Sequence, residues 1–158
     1  MKTLILYASR HGCAEKCARI LADRLGGEVT VADFKSAGRI ALADTETLIL
    51  GGSIHAGRIQ KDVKKYIERN LAVLQAKKPG LFLCCMEEGE KAEEQFRNAF
   101  SPELIQAAKA KGLFGGEFNF ERMAWWERTI IRKIAKTDVS VSKIREDRIS
   151  EFAAAMKS

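Results

Sequence analysis

Short apolar runs and longer amphipathic stretches alternate along almost the whole chain. Three runs, Thr3 to Ala8, Thr47 to Gly52 and Leu81 to Met86, are strongly apolar and bounded by glycine or polar residues. Runs this short, with no alternating polar face, suit strands buried on both sides of a parallel sheet. A weaker strand is expected at Glu28 to Asp33, and Leu113 to Asn119 is the candidate fifth. Between them, Cys13, Cys17, Ile20, Leu21 and Leu25 form one apolar stripe at helical spacing that stops at Gly26-Gly27. Val63, Tyr66, Ile67, Leu71 and Leu74 form a second stripe, and Ala92, Phe96, Ala99 and Phe100 a third. Ser101-Pro102-Glu103 reads as a fresh N-cap with proline at the first helical position, and Ile149, Phe152, Ala153 and Met156 mark a last helix. The alternation predicts one doubly wound α/β domain spanning residues 1–158, with right-handed crossovers. In such folds ligands sit beyond the carboxyl ends of the strands, so the loops after strands one, three and four are where chemistry is expected.

Each of those loops has a usable composition. Ser9-Arg10-His11-Gly12-Cys13-Ala14 leads straight from a strand into a helix, so unpaired N–H groups and the positive helix end face the turn, a place for a phosphate. Gly51-Gly52-Ser53-Ile54-His55-Ala56-Gly57 reads as a loop whose glycines let the backbone approach a flat ligand, with Ile54 and the His55 ring beside it. Met86-Glu87-Glu88-Gly89-Glu90 lies at the same end of the sheet, where its carboxylates also suit a helix N-terminus. The chain has no GxGxxG after strand one and no GxxxxGK[ST], so a mononucleotide fits better than a dinucleotide or a nucleoside triphosphate.

The set of three loops resembles the FMN site of the flavodoxin superfamily, and is most similar to that of the flavodoxin-like menaquinone-dependent protoporphyrinogen IX dehydrogenases. The likeness rests on Met1-Lys2-Thr3-Leu4-Ile5-Leu6, on Ser9-Arg10-His11-Gly12, on Gly51-Gly52-Ser53-Ile54 with Gly57, and on a basic aromatic stretch near the C-terminus. It implies a three-layer sandwich with a five-stranded parallel sheet of order 2-1-3-4-5 and FMN as cofactor. It further implies that Ser9, Arg10, His11, Gly12, Cys13 and Ala14 hold the phosphate. Ser53, Ile54, His55, Ala56 and Gly57 would contact ribityl and ring, and Met86, Glu87, Glu88 and Gly89 would border the ring's other side. Flavodoxins usually end the phosphate loop with Thr or Ser, and Ala14 removes that side-chain donor while leaving the backbone amides. His55 is the candidate ring contact, and no residue stands out as an essential acid or base.

Charge narrows the partners. The formal charge is +6, and the segment from Glu121 to Lys136 carries five basic and two acidic residues. Trp126, Ile130 and Ile134 recur every fourth position there, with Trp125 adjacent and Arg128, Arg132 and Lys133 mainly off the stripe. The segment reads as an extra amphipathic cationic helix. Two roles stay open for it, packing on the domain or lying on an anionic membrane surface, and nucleic acid is disfavoured because no binding module accompanies it. The family likeness adds a menaquinone-type quinone acceptor and a porphyrinogen-like substrate. The acidic run Glu87, Glu88, Glu90, Glu93 and Glu94 favours instead an electron carrier serving a redox protein, because negative charge near the ring opposes an anionic reduced flavin. A third reading is an interaction module without cofactor, and a homodimer stays open.

No stretch reaches the roughly 20 apolar residues that span a bilayer, and the apolar start is shorter than a signal core, so a cytoplasmic, soluble or peripheral protein is expected. Neither Cys13 and Cys17 nor Cys84 and Cys85 form a CxxC, so no metal site is expected and the thiols read as reduced, small buried hydrophobes.

Overall fold

A computed structural model describes residues 2–118, 126, 127, 129 and 141–158. Of the basic stretch, Trp125, Arg128, Ile130, Arg132 and Lys133 therefore lie outside the described residues. Five parallel strands form the central sheet in the order β2-β1-β3-β5-β6, the expected 2-1-3-4-5 arrangement. They are β1 (Lys2–Tyr7), β2 (Glu28–Asp33), β3 (Thr47–His55), β5 (Gly80–Cys84) and β6 (Ala110–Leu113).

Both faces of the sheet are covered, which is why the central strands read as continuous apolar runs. Successive side chains alternate between the faces. Leu4, Leu6, Leu48, Leu50, Leu81 and Leu83 pack on one side, against Val63, Ile67 and Leu74 of α2 (Lys61–Lys77), Phe96 of α3 (Gly89–Ala99) and Leu104 of α4 (Pro102–Ala107). Ile5, Tyr7, Ile49, Phe82 and Cys84 face the other side, against Cys17 and Leu21 of α1 (Cys13–Leu25). Ile149, Phe152 and Met156 of α5 (Glu146–Lys157) complete that layer. The N-cap read at Ser101 is present: its Oγ accepts from the Leu104 N–H at 3.4 Å, with Pro102 in the first turn.

Two expectations need correction. The fifth parallel strand runs over Ala110–Leu113, not Leu113 to Asn119, in register with Gly80 to Leu83. Its Ala-Lys-Gly-Leu sequence lacks the β-branched and aromatic residues that announce a strand. Gly112 is required there because a Cβ would lie 2.6 Å from Phe114 and 2.9 Å from Phe152. Glu117–Phe118 (β7) instead pairs antiparallel with Val141–Ser142 (β8), outside the main sheet, and Asn119 is not among the described residues.

Gly51 and Gly52, which close the expected strand run and also open the expected loop, lie inside β3, paired with Phe82 and Leu83. A Cβ on Gly51 would enter the Phe82 ring, and one on Gly52 would sit 2.8 Å from Ile59. These glycines serve packing, and the loop shrinks to a hairpin. β3 continues to His55 and folds back on β4 (Arg58–Ile59), pairing Ile54 with Ile59 and His55 with Arg58. Ala56 (φ 51°) and Gly57 (φ 77°) form its two-residue turn, with positive φ at both positions as type I′ geometry demands. Left-handed geometry costs a Cβ-bearing residue about 1 kcal/mol. Ala56→Gly is therefore expected to raise the urea midpoint, stabilising the protein by several tenths to about 1 kcal/mol; an unchanged midpoint would contradict the strain.

Candidate functional site

Three segments converge at the carboxyl edge of the sheet. After β1, the chain reverses through Gly12, whose φ of 91° suits glycine and whose N–H donates to Ser9 Oγ at 2.8 Å. The first helical bond is from Lys16 N–H to Gly12 O at 2.9 Å. Cys13, Ala14 and Glu15 thus have no intrahelical acceptor, and their amides stand at the positive end of α1. Ala14 is fully buried against the sheet, so this position supplies backbone only.

Arg10 and His11 flank the turn, and both reach Glu127. Arg10 Nε lies 3.1 Å and His11 Nε2 2.8 Å from Glu127 Oε2. Glu127 is 7% exposed, whereas its neighbour Trp126 is 44% exposed, with the Arg10 guanidinium 5.9 Å from the Trp126 ring centre. The basic segment therefore contributes a buried anion to the site as well as a surface tryptophan. The His11 and His55 rings meet edge-on at 5.9 Å. Burial, and then the nearby Arg10 charge, hold His55 below the usual histidine value, so its imidazole is neutral at neutral pH.

Near the end of β3, Ser53 is fixed by Gln60, the residue after β4. Its N–H donates to Gln60 Oε1 at 3.1 Å, and Gln60 Nε2 donates to its Oγ at 2.7 Å. After β5, the Cys85 N–H donates to Gly115 O at 2.9 Å. Gly116 packs so closely that a Cβ would lie 2.5 Å from Met86 Sδ and 2.9 Å from the Cys85 carbonyl. Burial pushes the Cys85 thiol up to about 11.

These segments enclose a cavity of about 380 Å³. Arg10, His11, Cys13, residues 53–57, Met86 and Glu87, all named from the sequence as cofactor residues, line it together with Trp126, named there as a membrane or quinone contact. Ser9, Gly12 and Ala14 build the turn behind the lining, while Glu88 and Gly89 face a neighbouring depression shared with Gly115 and Arg145. Sequence reasoning missed Cys84, Cys85, Gln95, Gly116, Glu117 and Glu127, which also line the cavity. Gln95 is the most informative of these, because its buried Oε1 finds no hydrogen-bond partner among the described residues. Such an orphaned acceptor marks a place where a donor belongs. It sits beside Phe96 but off the stripe of Ala92, Phe96 and Ala99, and only the packing of that helix shows which way it turns.

Two clusters of potential ligands adjoin the cavity. The sulfurs of Cys13, Cys17 and Cys84 all lie within 4.8 Å of one another, as do ligand atoms of His11, His55 and Glu127. All four thiols are buried.

A 2-1-3-4-5 parallel sheet, with a helix N-terminus and two further loops closing over its carboxyl edge, defines an α/β domain of the mononucleotide-binding class. The chain belongs to the flavodoxin domain family, which matches it over residues 4–142. It is 27% identical over 151 residues to a quinone-type protoporphyrinogen IX dehydrogenase of Leishmania major. That match covers 85% of this chain and only 62% of the relative. Among solved structures it is similar to flavodoxin 2 of Bacillus cereus, at 19% identity and a TM-score of 0.61, over 99% of this chain and 98% of the other. It also resembles the rubredoxin:oxygen oxidoreductase of Desulfovibrio gigas, at 17% identity and a TM-score of 0.59, over 98% of this chain but 35% of that one.

Proposed function

We propose that this chain binds FMN in the cavity at the sheet edge and oxidises a porphyrinogen-class substrate, protoporphyrinogen IX, with a quinone as electron acceptor. The observation that carries the cofactor reading is the pairing, in one cavity, of an anion-type turn with an unsatisfied Gln95 acceptor. The residues fit FMN at both ends. The amides at the start of α1, with Arg10 and His11, suit the phosphate, and Ile54, Met86 and Trp126 supply apolar walls for a flat ring.

Bound FMN supplies hydride acceptance and electron transfer. This chain's residues bind, orient and shield. Gln60 holds the Ser53 hydroxyl and amide in place, neutral His55 offers one ring nitrogen as donor and the other as acceptor, and Gln95 offers a carbonyl oxygen. The exposed Trp126, next to Arg10, is where a lipid-soluble acceptor would approach. No described helix is long and apolar enough to cross a membrane, so contact with lipid would be at its surface. Flotation with anionic vesicles tests this, and Trp126→Ala is expected to reduce it.

A second reading, a flavodoxin-type electron carrier, draws on the exposed carboxylates of Glu87, Glu88 and Glu90 beside the site, which suit docking to a basic redox partner. Addition of FMN should give a yellow holoprotein with a raised melting temperature; its absence would sink both readings. Anaerobic oxidation of protoporphyrinogen IX with a menaquinone analogue then separates them, because holoprotein without turnover leaves only the carrier.

Gln95→Met gives a sharper check on the site. It removes an unsatisfied buried acceptor, so the apo-protein should gain about 1 kcal/mol. FMN affinity should fall about tenfold if that oxygen accepts from the cofactor. Titration by flavin fluorescence reads the second effect, and unchanged affinity would remove Gln95 from the site.

A further inference from the structure

The thiols of Cys13, Cys17 and Cys84 have no role in the function proposed above, and their arrangement is specific. Cys13 and Cys17 are four residues apart, on the same face of α1, and Cys84 ends β5 beneath them. Their three sulfurs lie within 4.8 Å of one another, and no carboxylate or imidazole of the described residues joins the group. Only part of the cluster meets the cavity: Cys13, 8% exposed, and Cys84 line it, whereas Cys17 is fully buried behind them. Cys85 is excluded, its Sγ lying 3.7 Å from the Glu87 carbonyl.

Cys13 is the first residue of α1, at the positive helix end that favours a thiolate. The neighbouring Cys17 and then Cys84 thiols, with sulfurs within 4.8 Å, pull the Cys13 pKa down, while their own values are pushed up. A thiolate at Cys13 with two neutral thiols beside it would place a single negative charge at the helix end. A metal bound by three thiolates would demand more, and among the described residues no carboxylate or imidazole completes its shell.

We infer that the three cysteines form an oxidisable thiol centre, in which Cys13 reacts with small peroxides entering through the cavity and closes a disulfide with Cys17 or Cys84. In the first step the Cys13 thiolate attacks a peroxide oxygen. The S–O bond forms as the O–O bond breaks, and hydroxide leaves and is protonated to water. In the second step Cys17 or Cys84 attacks the sulfenic sulfur. The S–S bond forms, the S–O bond breaks, and the departing hydroxide takes the thiol proton as water. Two thiols and one hydrogen peroxide thus become one disulfide and two waters, with the thiols losing two electrons. Residues four apart on a helix have Cα atoms about 6 Å apart. That is within the Cα range of roughly 4.4–6.8 Å that a disulfide spans. Cβ atoms at this spacing, however, lie about 5–6 Å apart where a disulfide needs about 3.5–4.5 Å, so a Cys13–Cys17 bond must draw in the first turn of α1.

Because the Cys13 amide belongs to the turn assigned to phosphate, closing this bond shifts that turn. Given the FMN reading, oxidation then weakens cofactor binding and bound FMN shields Cys13. With FMN at roughly ten times its Kd, Cys13 should be modified about tenfold more slowly.

The oxidation itself is tested on reduced apo-protein, whatever becomes of the FMN reading. One equivalent of hydrogen peroxide should lower the titratable thiols from four to two under denaturing conditions. Peptide mapping should then find Cys13 joined to Cys17 or Cys84. Four surviving thiols, an intermolecular bond, a pair involving Cys85, or a stoichiometric metal bound by the cluster in the purified protein would each overturn the proposal. Cys17→Ala and Cys84→Ala each leave one resolving thiol, and at least one must still form the bond. Loss of the bond in both folded variants would be equally fatal. In the wild-type protein, a brief iodoacetamide pulse should label Cys13 at least about tenfold faster than Cys85; equal labelling would remove the thiolate. Failure of FMN protection alone, with the disulfide formed, would count against the cofactor reading and leave the thiol centre standing.

Discussion

Replacing Gly51 by alanine should cost about 3 kcal/mol of stability, at the upper end of what overpacking a core costs, and replacing it by valine should leave no folded protein. The added methyl would occupy the Phe82 ring, which is completely buried. That ring cannot retreat, because it stacks on Phe114 with centroids 4.9 Å apart and meets Phe152 edge-on at 6.5 Å. Domains of this size are stable by only about 5–15 kcal/mol, so such a loss is decisive. Urea unfolding measures it. The double variant Gly51→Ala with Phe82→Leu should be more stable than Gly51→Ala alone, because the smaller side chain vacates the contested space. A Gly51→Ala protein within about 0.5 kcal/mol of wild type would show that the strand glycine is not needed for packing.

Glu127→Gln is expected to tighten FMN binding about tenfold. The carboxylate lies 3.1 Å from Arg10 and 2.8 Å from His11, so it offsets positive charge beside the phosphate turn. At an effective dielectric near 20, a carboxylate several ångströms from a phosphate opposes it by on the order of 1–2 kcal/mol after screening, which corresponds to about tenfold in Kd. The amide keeps the shape and most of the packing. The gain should shrink as salt is added, whereas a change in shape alone would not respond to salt. Weaker binding in the variant would show that Glu127 orients Arg10 and His11 for the cofactor and does not compete with it.

Much of this architecture was legible in the sequence, because most of it depends on local rules. The runs at Thr3 to Ala8 and Leu81 to Met86, the stripe from Cys13 to Leu25 and the cap at Ser101 each reflect residues within one or two turns of each other. Alternating strands and helices with short connections leave few topologies, and the ligand end of the sheet follows from the direction of the strands. Ten of the fifteen cofactor residues named from sequence line the cavity for this reason: Arg10, His11, Cys13, residues 53–57, Met86 and Glu87.

What the sequence did not show depends on partners far apart along the chain. Gly51 reads equally as strand end or loop start until Phe82 is seen in the space a side chain would take. Ala110–Leu113 becomes a strand because β5 offers an unpaired edge, although its own composition argues weakly for one. Glu127 counts as one of two acids in a basic segment until it meets Arg10 and His11 across sequence separations of 117 and 116 residues. Cys84 joins Cys13 and Cys17 only when β5 slides beneath α1. Periodicity along the chain determines which face of each element is buried. Which side chains then meet is set by how the layers stack, and that is decided by close packing among all of them at once.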